Sequence, residues 1–196
     1  MRMSRRNEIG QYITKKIRSF QESNDNASLA KLRRGVGHRP GELPELYGIL
    51  LKDMPDSFWN AQGDITVEEW SCYISLTLFA WHQQGNDLKK QCVHTSEKYE
   101  SIGKAMRRLV STYDDSNAEE RVQKKLQTLI TSKDMEEFAY HLKGIITLIR
   151  KEGMAINYSE LAKDIYSFQF VDSRNQISLK WGQDFYRVSK EEKNNE

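Results

Sequence analysis

Four histidines, two cysteines and two acidic pairs are the side chains here whose types could carry catalysis or hold a metal. Histidine can move a proton near neutral pH or ligate a metal, but it needs neighbours at the right spacing. His38, His82, His94 and His141 form no HExxH pattern and no pair at metal-ligand spacing. Cys92 and His94 are close in sequence, yet only His82 or Cys72 could complete a site with them, so scattered residues are the better reading. Cys72 and Cys92 make no CxxC pair and suit a reduced intracellular chain. Asp114-Asp115 and Glu119-Glu120 could be offered as metal carboxylates of a nuclease. They fall at a polar connection and a helix start, where acidic groups favour solvent and the helix dipole. Gly35, Gly37 and Gly41 lack the Gly-Lys-Ser/Thr ending of a phosphate loop. No Ser/His/Asp or Cys/His set can be assembled. No catalytic residue, metal or cofactor is expected, and the chain reads as a binding protein, not an enzyme.

The basic residues are more informative. A formal net charge of +2 says little by itself, because what matters is where the charges sit. Lys31, Arg33, Arg34 and Arg39 lie in one stretch with no acid from Lys31 to Gly41. Lys89, Lys90, Lys98, Lys104, Arg107 and Arg108 follow, with only Glu97 and Glu100 among the later ones. Lys104 and Arg108 are helical i,i+4 neighbours with Arg107 beside them. Arg121, Lys124 and Lys125 extend the theme, and Lys143 and Arg150 join it from the helix faces. Any one such cluster can be a solvated face. Three in one small protein point to phosphate contacts, which give sequence-independent, salt-sensitive affinity. Aromatics are not interleaved with these residues in the sequence, so a backbone grip is expected before base readout.

Helices must position these charges. Ile9, Tyr12, Ile13, Ile17 and Phe20 predict a first helix over 5–20, and Leu29 and Leu32 a short second one ending near Gly35. A turn-rich loop over 35–41 precedes a short helix over 45–51. Thr66 and Glu69 have capping-box spacing ahead of an apolar helix carrying Val67, Trp70, Ile74, Leu78 and Trp81. Tyr99, Ile102, Met106 and Leu109 predict a helix over 95–110. The polar segment 111–117 then reads as a linker. Beyond it, Val122, Leu126, Leu129 and Ile130 mark one helix. Asp134 and Glu137 cap the next, with Phe138, Leu142, Ile145, Ile146 and Ile149 on its apolar face. Asn157 with Glu160 opens a third helix. Ser173 opens a fourth, with Ile177, Trp181, Phe185 and Val188, and a polar tail from Lys190 is expected to fray. The expectation is an all-α fold of two small helical bundles: an N-terminal domain over 1–112 and a C-terminal four-helix bundle with its tail over 113–196.

The totals agree with this. The chain has 196 residues, 38% hydrophobic and 30% charged, a balance that suits small helical bundles. Its three prolines all lie between Pro40 and Pro55. Ser4-Arg5-Arg6 resembles a twin-arginine signal, but the segment after it is amphipathic, and no stretch approaches the ~18 apolar residues of a membrane span. A cytoplasmic location is expected, with no membrane partner.

The run from Leu29 to Leu46, LAKLRRGVGHRPGELPEL, resembles the N-terminal signature of the CasB family, the small subunit of the type I-E CRISPR surveillance complex, Cascade. Two further stretches agree in order: LKGIITLIRKEGMAINYSEL over 142–161, and Trp181-Gly-Gln-Asp-Phe-Tyr186, similar to the family's Trp-Gly-Arg-Asp-Phe-Tyr ending. Gln183 stands where the family often has Arg, and Tyr166 and Phe168 lie where a Trp is common. The resemblance implies a two-domain helical protein without catalytic activity that sits as a pair in the complex. Its implied partners are the large subunit, the backbone subunits, a second copy of itself, guide RNA (crRNA), and target and non-target DNA. Arg33 and Arg34 match the family's Leu-Arg-Arg-Gly pair, and Arg107 and Arg108 are similar in position to its second basic pair. Guide pairing reads sequence in such a system, so the protein has only to hold backbone and shape.

Overall fold

In the computed structural model, residues 2–97 and 101–187 are described. Tyr99 and Val188, expected on apolar stripes, Lys98 and the tail from Lys190 lie outside them. Nine α-helices occur among the described residues and no strand: α1 (Arg2–Ser23), α2 (Asn26–Arg34), α3 (Tyr47–Leu50), α4 (Val67–Gln83), α5 (Ile102–Thr112), α6 (Ala118–Ile130), α7 (Met135–Lys151), α8 (Tyr158–Phe168) and α9 (Val171–Tyr186). The fold is all-α. None of these helices is long and apolar enough to cross a membrane.

Helix starts follow local chemistry. The Thr66 side chain accepts from the Glu69 N–H, and the Glu69 carboxylate accepts from the Thr66 N–H, the reciprocal box its spacing predicts. Asp134 and Asn157 likewise accept from the N–H groups of Glu137 and Glu160. Several boundaries differ from expectation. Helix α9 begins at Val171, so Ser173 does not open it but lies in its first turn and donates its N–H to the Phe170 carbonyl. Helix α1 begins three residues early because its first turns are held from outside: Arg5 pairs with Glu68 at 3.3 Å and Arg6 with Asp164 at 2.9 Å. Helix α5 begins at Ile102, where Ser101 caps it. The segment before it instead lies beside Ile156, which donates to the Val93 carbonyl and accepts from the Thr95 N–H.

Helix α4 is buried on nearly all sides and packs against α1, α2, α7 and α8. Its buried hydroxyls are satisfied within the helix: Ser71 donates to Val67, Ser75 to Ser71 and Thr77 to Tyr73, each at a backbone carbonyl. Helix α8 fills the opposite side of the core, packing on α1, α4 and α9, while α5 packs on α9. Gly103 permits that last approach, because a Cβ there would collide with the Trp181 carbonyl. Trp181 is fully buried and lies nearly parallel to Phe168, with centroids 6.0 Å apart. Removing such a ring costs about 3–5 kcal/mol.

The polar segment 113–117 does connect α5 to α6. Helices on either side of it also pack together: α1 and α4 meet α8, α5 meets α9, and the buried apolar residues are contiguous.

A buried carboxylate ties three helices together. Asp164 of α8, 2% exposed, accepts from Arg6 of α1 and from Lys180 and the Trp181 indole N–H of α9, at 2.7–3.0 Å. A second node holds α4 to α8. The Tyr158 hydroxyl donates to the Leu78 carbonyl and shares a hydrogen bond with His82 Nδ1 at 3.0 Å. The Tyr158 N–H donates to His94 Nδ1. Burial pushes His82 down to about 4.

Candidate nucleic-acid interface

Helices α6 and α7 turn their apolar residues into the core, Val122, Leu126 and Leu129 from one and Phe138, Leu142, Ile145, Ile146 and Ile149 from the other. What remains outside is set by the same 3.6-residue period. Arg121, Lys124 and Lys125 face out from α6, and Tyr140, Lys143 and Gly144 from α7. Together they line an open groove of about 660 Å³. Four of the basic residues singled out from the sequence thus share one concavity, although Lys143 lies 18 residues from the nearest of them.

The groove has cations and only exposed acids near it. Arg121 makes two hydrogen bonds to Asp115, both 2.7 Å, and its guanidinium holds the Asp115 carboxyl below the usual range. Lys124 pairs with Glu120 at 2.6 Å. These four side chains are 42–68% exposed, and ion pairs so placed contribute little, about 0–1 kcal/mol. An incoming phosphate can replace such a partner at small cost. Lys125 is exposed and makes no ion pair among the described residues. The Lys143 ammonium lies 4.8 Å from the centroid of the Trp81 ring.

Trp81 carries the positive charge on toward the N-terminal cluster. The Arg150 guanidinium lies 5.7 Å from the centroid of the same ring and also donates to Gln84. Arg33 is held below its ordinary pKa by burial and then by the nearby charge of Arg150. Arg33, Arg150, Trp81 and Lys143 therefore form a connected basic track from α2 to the groove. The rest of the first cluster is arranged differently. Lys31 is exposed on α2, Arg34 pairs with Glu45 at 3.1 Å, and Arg39 reaches Glu136 at the start of α7, also at 3.1 Å.

The cluster on α5 is more enclosed. Lys104 is half-buried. Arg107 is half-buried beside Glu119 at 3.1 Å, and Arg108 donates to the Ala155 carbonyl at 3.2 Å. These arginines connect α5 to the start of α6 and to the turn before α8, so part of their hydrogen-bonding capacity serves the fold.

Sequence reading missed Tyr140 and Trp81. Tyr140 is 72% exposed at the groove. The signal was present: it falls off the apolar stripe of α7 and shares the outward row with Lys143, Gly144 and Thr147. Trp81 was assigned wholly to the core stripe of α4, but it is only half-buried and donates from its indole N–H to Thr147. As for metals, no three His, Cys, Asp or Glu side chains gather into a binding group among the described residues. Asp115, Glu119 and Glu120 instead face Arg121, Arg107 and Lys124.

Comparison with known proteins agrees with this architecture. The family model for the CRISPR-associated protein Cse2 matches residues 28–186. The crystal structure of CasB from Thermobifida fusca superposes with a TM-score of 0.73 at 26% identity, covering 92% of this chain and 98% of that one. A CRISPR-associated protein of the Cse2 family from Thermus thermophilus gives a TM-score of 0.67 at 18% identity, over 90% of this chain and 97% of that one. CasB from M. ruber gives 0.60 at 22% identity, over 86% and 89%. A comparison with curated proteins finds no match. With most of its length matched by the family model and its helices superposing on those structures, the chain belongs to the CRISPR-associated Cse2 family.

Proposed function

We propose that the chain is the small, non-catalytic subunit of a type I-E Cascade complex. In this role it holds nucleic-acid backbone, chiefly the single-stranded DNA of the R-loop, and so stabilises the guide RNA–target complex in antiviral defence. The observation that carries this reading is the groove between α6 and α7, which collects Arg121, Lys124, Lys125 and Lys143 from two helices around a space with no buried acid. The basic track through Lys143, Arg150 and Arg33 supports it by extending the positive surface toward the Leu-Arg-Arg-Gly run. Its partners in this reading are the large subunit, the backbone subunits, a second copy of the chain, crRNA and both DNA strands, in the cytoplasm.

The test is binding of single-stranded DNA across an ionic-strength series. Neutralising four phosphates gives a slope of log K against log salt of about −3 for a single strand. Binding that is absent, or that ignores salt, overturns the phosphate grip.

A second reading, a structural module whose cations meet only protein, is favoured at one place. Arg107 is half-buried and already faces Glu119 at 3.1 Å. Reversing Arg107 to Glu separates the two. A loss of folding stability with DNA affinity retained in the surviving fold assigns that arginine to structure.

A further inference from the structure

We infer that the α6–α7 groove is built for unpaired nucleotides, with Tyr140 as the ring on which a base stacks and Gly144 as the bare floor beside it. This rests on the reading that the groove binds single-stranded nucleic acid, and it goes further by naming the residues that would contact an unpaired base rather than the backbone.

Three observations combine. Tyr140 is a large aromatic left 72% exposed, and its ring stands nearly perpendicular to the His141 ring, with centroids 5.3 Å apart and an interplanar angle of 73°. A T-shaped pair covers at most one face of the tyrosine, and an open aromatic face beside phosphate-binding cations is the arrangement that single-strand binders use. Lys143 lies three residues on, so the ring and the charge share one helix face. Gly144 lies one full turn beyond Tyr140 in the interior of α7, where glycine disfavours a helix relative to alanine. No packing demand explains it. A Cβ built at Gly144 meets nothing within 4 Å, whereas at Gly10, Gly35 and Gly103 it collides with a neighbouring element. Gly182 in α9 is equally unhindered, but Gly144 alone of the two lines the cationic groove, where the missing side chain leaves room beside Tyr140.

A paired duplex hides its base faces in its own stack and can offer only its backbone to the groove. An unpaired strand can lay its phosphates against Arg121, Lys124, Lys125 and Lys143 while one base turns onto Tyr140. That distinction is the specificity the site supplies. It concerns base exposure, not base identity, because every base has a π-face.

The experiment uses the full-length chain with four probes: oligo-deoxythymidine, oligouridine, an abasic deoxy-oligomer of equal length, and duplex DNA. Tyr140→Ala lowers affinity for at least one of the unpaired probes by about fivefold or more. It leaves abasic and duplex binding within twofold and keeps the salt slope of the wild type. Tyr140→Phe, which retains the ring, restores the affinity. Gly144→Leu, a better helix former, raises the thermal midpoint yet weakens the same unpaired probe. A 2-aminopurine placed in that probe is quenched by the wild type and not by Tyr140→Ala. If the chain binds single strands with the expected salt slope but Tyr140→Ala, Gly144→Leu and base removal change nothing, the stacking inference falls while the backbone grip stands. If no probe shows salt-dependent binding, the underlying reading falls first.

Discussion

Cations converge at two places in this molecule, and the two differ in what lies between them. Around Asp164, Arg6 and Lys180 arrive from helices far apart in sequence and close on a carboxylate that is 2% exposed. In the α6–α7 groove, Arg121, Lys124, Lys125 and Lys143 arrive from two helices around open space. The first assembly contains its own anion and locks α1, α8 and α9. The second has only exposed, exchangeable acids on its border. Similar residue types therefore do opposite work, and the buried counter-charge decides which.

Breaking the first assembly has the largest expected effect. Asp164→Ala removes the common acceptor, leaving Lys180 and the Trp181 indole N–H without it and Arg6 with only Glu160 at 3.8 Å. Losing one member of a buried ion pair costs about 3–5 kcal/mol, a large part of a domain's total stability. Chemical denaturation checks it, and a change below about 1 kcal/mol would remove Asp164 from its central role. The same measurement on Lys125→Glu combined with Lys143→Glu should show a loss of about 1 kcal/mol or less, since Lys125 is exposed and Lys143 gives up one cation–π contact with Trp81.

Acid sharpens the contrast next. His82 is fully buried, and burial lowers its pKa from the ordinary 6.5 to about 4. The unfolded chain takes up this proton first. Stability from this group is complete above about 6.5 and is lost as pH falls toward about 4, on the order of 3 kcal/mol in all. Thermal midpoints followed from pH 7 to pH 4 should fall more steeply in the wild type than in His82→Gln. Parallel curves would mean that His82 does not carry the acid sensitivity.

Much of the fold was legible because helix boundaries are local. Thr66 with Glu69, Asp134 with Glu137, and Asn157 with Glu160 each announce a helix start within four residues, and all three caps form. The apolar stripe of α7 could be read residue by residue. What the stripes do not encode is what covers them: the faces of α1 and α4 suit a neighbouring N-terminal helix as well as α8. The early start of α1 depends on Glu68 and Asp164, residues no local pattern joins to it. The groove was half legible for the same reason. Arg121, Lys124, Lys125 and Lys143 could be placed outward on their helices. Tyr140 could be placed on the outward row of Lys143, but not opposite the α6 cations, which become its neighbours only when α6 and α7 pack together. Nor could the sequence distinguish Arg107, held beside Glu119, from Lys125, which makes no ion pair among the described residues, since charge counts take no account of partners.

The most direct test of the account is the salt dependence of single-stranded DNA binding, measured side by side for the wild type and for Lys125→Glu with Lys143→Glu. The account predicts a slope near −3 for the wild type and a slope shallower by about 1.4 in the double variant, as two phosphate contacts are lost, with weaker binding and a thermal midpoint lowered by only a few degrees. Equal slopes and equal affinities in two equally folded chains would contradict it.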